Sequence, residues 1–129
     1  MENVKNITEN NEEQAVQEQA QEVAVVTESD TKEGTYTHVL SKPFEYCGIT
    51  HKKFVFDFEK LTGDDMVAIE NEMAGVGEYA LSPEISTSFL ARMAARAAGV
   101  GSDVILKLPL KEFGKIKNES RSFLISTGF

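Results

Sequence analysis

Leu40-Ser41-Lys42-Pro43-Phe44-Glu45-Tyr46-Cys47-Gly48-Ile49-Thr50, followed after a short basic link by Phe54-Val55-Phe56-Asp57-Phe58-Glu59-Lys60-Leu61-Thr62, is the stretch on which the fold turns. It reads as two strands around a glycine-containing reversal that lead straight into a capped helix. Phe54, Phe56 and Phe58 recur at every second residue. In a pleated strand all three rings share one face, with Val55 and Asp57 on the other. Pro43 cannot donate to a ladder, so its strand lies at an edge or begins there. Cys47-Gly48 marks the reversal, glycine supplying the positive φ that tight turns need.

An aromatic sheet face needs a cover, and the chain downstream offers only helices. Thr62 with Asp65 three residues on resembles a capping box, and Asp64 and Asp65 suit the positive end of a helix dipole. This predicts a first helix over about 63–73, with Met66, Ile69 and Met73 inward and Gly75 and Gly77 ending it. Ser82-Pro83-Glu84 repeats the start signal, with Ser at the N-cap and Pro at the first helical position. The helix then runs to Ala98, with Ile85, Phe89, Leu90, Met93 and Ala97 on its inner stripe and Arg92 and Arg96 off it. Gly99 and Gly101 close it, and Ser102-Asp103 caps a short turn through Leu106. Pro109 opens a last helix whose inner face carries Leu110, Phe113, Ile116, Ser120, Phe123 and Leu124. The expected fold class is α+β: an N-terminal β-hairpin packed on a small bundle of three to four helices.

The chain of 129 residues carries a net charge of −8, unevenly spread. Over residues 1–36, nine acids stand against Lys5 and Lys32, a balance of −7, which leaves −1 for the rest. Apart from Val23–Val26 that segment has almost no clustered apolar side chains. It cannot offset ordering costs of about 1–2 kcal/mol per residue. It is expected to be a disordered acidic tail over 1–36, preceding a folded domain over 37–129. The near-neutral domain has no basic stripe to follow a phosphate backbone, which argues against nucleic acid. No apolar run approaches the roughly 20 residues that span a bilayer, and the start lacks a secretory apolar region. The single cysteine makes no intramolecular disulfide, and a cytosolic protein is expected.

Candidate chemistry is sparse. Cys47 and His51 could form a nucleophile and its base, or half a metal site, but across a turn their spacing has no fixed geometry, and His38 is the only other histidine. A thiol that merely occupies a turn is the simpler reading. Asp64 with Asp65, and Glu70 with Glu72, are neighbours that point apart on a helix and read as capping residues and a solvated face. Gly75-Val76-Gly77 and Gly99-Val100-Gly101 lack the flanking elements of a phosphate loop and read as helix stops. The sequence therefore predicts no enzyme, cofactor or metal. Apolar residues near the end, Phe123, Leu124 and Phe129, are the expected partner anchors: in a fraying segment they could enter a partner's groove. The Ala-rich face around Arg92 and Arg96 is the alternative site.

Taken in order, Lys42-Pro43-Phe44, the turn Gly48, Phe56-Asp57-Phe58-Glu59-Lys60-Leu61-Thr62-Gly63-Asp64-Asp65, Phe89-Leu90-Ala91-Arg92-Met93-Ala94-Ala95-Arg96-Ala97-Ala98-Gly99-Val100, Leu108-Pro109-Leu110-Lys111-Glu112-Phe113 and Phe123-Leu124 resemble the phage tail assembly chaperones of contractile-tailed phages, over about residues 39–125. The long acidic start departs from that pattern. The resemblance implies a non-enzymatic factor in the cytoplasm of the bacterial host. Such a factor binds the tape measure protein, promotes recruitment of tail tube protein around it, and is absent from the mature virion. Whether the chain self-associates is left open. The alternative is a structural tail completion or connector protein retained in the particle.

Overall fold

The computed structural model describes residues 34–129 of the chain. The tail expected over 1–36 lies outside the described residues up to position 33, while Thr35 and Tyr36, assigned to it from sequence, belong to the first strand. Two antiparallel strands, β1 (Thr35–Tyr46) and β2 (Ile49–Asp57), form a hairpin. Four helices follow: α1 (Gly63–Gly75), α2 (Thr87–Ala98), α3 (Ser102–Leu106) and α4 (Leu110–Ser126). Short 3-10 turns at Phe58–Lys60 and Pro83–Ile85 precede α1 and α2. The fold is α+β.

Cys47 and Gly48 make the two-residue reversal, with φ of 52° and 79°. Positive φ at both central positions matches the right-handed strand twist, and a cysteine there carries a steric cost that glycine avoids. Below the turn the register runs Tyr46↔Ile49 to Phe44↔His51, then slips, resuming at Val39↔Lys53. Leu40, Ser41, Lys42 and Pro43 thus stand opposite Lys52 alone. Pro43 sits in this irregularity, where its missing N–H interrupts no ladder.

Phe54 and Phe56 alternate on the inner face of β2 while Val55 faces outward, and Phe58, expected in the strand, lies just past it in the 3-10 turn and is enclosed beside them, all three rings being at most 3% exposed. The rings step along one face at about 6 Å spacing, and Phe58 stacks on Phe123 of α4 at 5.3 Å. Helix α2 covers them. It touches β2, α1, α3 and α4 and buries Phe89, Leu90, Ala91, Arg92, Met93, Ala94, Ala95 and Ala97, so only a narrow strip meets solvent. Its alanines follow from that position, since small side chains let neighbours approach from several sides.

Three expectations are corrected. Helix α2 starts at Thr87, because Ser86, whose Oγ accepts from the Phe89 N–H at 3.1 Å, is its N-cap; Ser82-Pro83 opens a separate 3-10 turn instead. Ile85 consequently points outward, 64% exposed. In α4 the inward place in the first turn goes to Glu112 rather than Leu110, while Phe113, Ile116, Ser120 and Leu124 are buried as expected. Arg92, placed off the apolar stripe, is buried: its guanidinium reaches Glu72 of α1 at 2.6 Å, Glu78 of the following loop at 3.4 Å, and the hydroxyls of Ser88 and Ser102 at 3.1 Å each. Burial of that charge is supported by a full set of acceptors. Among the described residues no helix is long and apolar enough to cross a membrane.

Candidate functional site: an apolar groove between two helix ends

The start of α1 and the end of α4 meet beside α2, and a cavity of about 310 Å³ opens where they do. Leu61, Met66 and Ile69 line it from one side, Phe89 and Met93 from α2, and Phe123, Leu124, Thr127 and Phe129 from the other. The three residues singled out as partner anchors therefore come together in one place, but with a different geometry. Leu124 is buried and Phe123 is fixed against Phe58, so both form the wall of a groove on this molecule rather than projecting into a groove on another. The end of α4 is capped by its own hydroxyls. Its final carbonyls accept hydrogen bonds from Ser126 Oγ (to Phe123) and Thr127 Oγ1 (to Leu124), each at 2.6 Å. Only Phe129, 52% exposed, stands at the rim.

One charged side chain lines the groove, and it is already engaged. Asp65 accepts from the Thr62 N–H at 2.8 Å, capping α1, and from Arg96 Nε at 2.7 Å. The bond from Arg96, then that from Thr62, holds its carboxyl below the usual range. With that charge neutralised, what the groove offers an incoming ligand is apolar: two methionines that adapt to irregular shapes, and aromatic ring faces. Neither methionine could be assigned to a groove from sequence, because Met66 and Met93 each read equally well as core.

The remaining candidates lie elsewhere. Cys47 is exposed at the hairpin tip, whereas the His51 ring is stacked between Phe44 and Phe54 at 6.3 and 5.1 Å. Among the described residues no three His, Cys, Asp or Glu side chains converge as metal ligands. Glu72, read as part of a solvated face, is paired with Arg92. Of the Ala-rich face of α2, Ala91, Arg92, Ala94, Ala95 and Ala97 are enclosed within the domain, while Arg96 stays exposed.

A polar relay that no spacing in the sequence indicates joins the hairpin to α4. Glu112 accepts from Ser41 Oγ at 2.6 Å and from the Ser41 N–H at 3.0 Å, and its other oxygen lies 2.6 Å from His38 Nε2. His38 Nδ1 in turn meets Tyr36 Oη at 2.8 Å. Ser41 lies within the strand irregularity at Leu40–Pro43. These bonds, led by those from Ser41, hold the Glu112 carboxyl down at about 2. The relay clamps the hairpin to the first turn of α4. An acid within the apolar stripe of α4 was the one available hint.

Comparison of the chain with protein-family models, with curated proteins and with solved structures returned no match.

Proposed function

We propose that this chain is a tail assembly chaperone that acts in the cytoplasm of a bacterial host, binds the tape measure protein and promotes recruitment of tail tube protein, without entering the mature virion. The ordered motifs over residues 39–125 suggest the family. The observation that carries the mechanism is the groove between α1 and α4. A tape measure protein is a long helical chain with apolar stripes that would aggregate if left bare. A groove walled by Met66, Met93 and Phe123, with its only charge already paired, suits the apolar face of such a helix.

Co-expression with a candidate tape measure protein from the same genome tests the reading. Met66→Glu sets a charge in the groove from a partly buried position at its edge, so the fold should survive by circular dichroism while co-purification of the tape measure protein is lost. Retained co-purification would remove the groove from the mechanism. Mass spectrometry of purified particles separates the chaperone from a tail completion or connector protein: the first is missing from them, the second present in stoichiometric amount.

A further inference from the structure

The near-neutral balance of the domain hides a split. Residues 63–100, which make α1, the loop after it and α2, hold six acids against two bases, a balance of −4. Residues 37–53 and 101–117, most of the hairpin with α3 and the first half of α4, hold seven bases against three acids, a balance of +4. Each half also offers apolar groups. In the acidic half they gather on the loop between α1 and α2, where Tyr79 and Leu81 are each 83% exposed. That loop is pinned: Glu78 accepts from Ser88 Oγ at 2.6 Å, and the Glu84 carbonyl accepts from Arg121 Nε at 3.1 Å. Large apolar side chains held out in water on a fixed loop mark a contact surface. In the basic half a cavity of about 290 Å³ opens between the strand irregularity and the start of α4. Leu40, Pro43, Phe44 and Pro109 form its apolar lining, and the exposed Lys42 and Lys111 line it too. Its one acid, Glu112, is already engaged by Ser41 and His38.

We propose that the loop Glu78–Glu84 of one copy of this chain docks in the cavity between the hairpin and α4 of a second copy. Charge complementarity names the occupant. Acids stand at both ends of the loop tip, Glu84 and the Glu78 that Arg92 shares, while lysines line the cavity, and the two halves of the domain carry equal and opposite balances. Complementarity of this kind steers two surfaces together and fixes their register. The ring of Tyr79 supplies the apolar body, with Phe44 and the two prolines to receive it. The loop cannot serve the cavity of its own molecule. Arg121, which anchors it, and Lys111 are ten residues apart on α4, about 15 Å along the helix axis. Because the two surfaces differ, the contact is heterologous. Each bound copy still offers a free loop or a free cavity, so association runs on into a row of copies. A loop tip in a cavity buries little area, which makes each contact weak. Nothing in this contact requires the tape measure protein.

Sedimentation velocity of the full chain, from micromolar to millimolar concentration, tests it. The weight-average mass should climb past that of two copies. Leu81→Asp disables the loop and Lys111→Glu the cavity, and both positions are exposed, so circular dichroism should show the fold intact. Tyr79→Asp replaces the first variant should it fail to fold. Each variant alone should associate at least about ten-fold more weakly, the loss expected for one well-placed contact. Mixed in equal amounts, the two should form a complex that stops at one copy of each, since the intact loop of the Lys111→Glu chain still meets the intact cavity of the Leu81→Asp chain. Four outcomes would overturn the proposal: a monomer across the whole range, a mass that levels off at two copies, unaltered association of either variant, or a mixture that stays monomeric. No tail protein is present in this experiment, so its failure is distinct from loss of co-purification.

Discussion

Replacing Phe56 with alanine removes a ring that is fully enclosed and lies about 6 Å from each of Tyr36, Phe54 and Phe58. Loss of transfer free energy for such a side chain costs about 1.5–3 kcal/mol. A residual void of roughly 80 Å³, at about 24 cal/mol per Å³, adds about 2 kcal/mol. The total, about 3–5 kcal/mol, is a large part of the roughly 5–15 kcal/mol available to a domain of this size. With a urea m-value of about 2 kcal/mol/M, the midpoint should fall by about 2 M. Equilibrium urea unfolding followed by circular dichroism measures it directly. Phe54→Ala and Phe58→Ala should fall within about 1 kcal/mol of the same loss, because those rings are enclosed to the same degree despite lying nearer the strand ends. A midpoint that moves by less than about 0.5 M for Phe56→Ala would refute the assignment of this strand face to the core.

Glu112 is held at about 2, below its ordinary 4.5. Its contribution is therefore complete above about pH 4.5 and is lost as the pH falls from there toward 2. Urea midpoints should decline over that window, and Glu112→Gln should lower the plateau and flatten the decline. Asp65, depressed by Arg96, acts in the same direction. Arg92→Ala should cost about 1–3 kcal/mol in thermal or urea unfolding, at the lower end if solvent screens the half-exposed Glu72 and Glu78. Arg92→Lys should restore little of it, since one ammonium cannot span acceptors on α1, α2, α3 and the intervening loop. Cys47→Asn should stabilise the protein by about 0.5–1 kcal/mol, because asparagine tolerates the positive φ of the hairpin turn better than cysteine does; a lower melting temperature would show that the thiol is needed there.

Periodicity made the hairpin, the aromatic face and the four helices legible, because each depends on residues near one another in the chain. Thr62 and Asp65 announced α1 correctly for the same reason. What stayed hidden depends on which faces are covered and by what. Arg92 looked like a solvent residue since a 3.6-residue period shows only which side chains share a face, and α2 happens to be covered almost all round. Glu112 interrupts an apolar stripe, and its partners His38 and Ser41 are more than seventy residues away. The groove is similarly non-local: Phe123, Leu124 and Phe129 could be singled out together, but the opposite wall at Leu61 and Met66 could not be joined to them by spacing.

The bond between His38 and Glu112, which spans 74 positions in the sequence, has a consequence for the newborn chain. The hairpin is synthesised first, yet what covers its aromatic face comes later, from α2 and α4. At about 5–20 residues per second, the stretch from Phe58 to Ser126 takes roughly 3–14 s to emerge. A lone two-stranded hairpin is barely stable in water. During those seconds Phe54, Phe56 and Phe58 have no native cover, and both strands present open edges. Yield in the cell should then depend on translation speed after residue 58, and slow codons placed there should send more of the protein into the insoluble fraction while leaving the stability of the purified domain untouched.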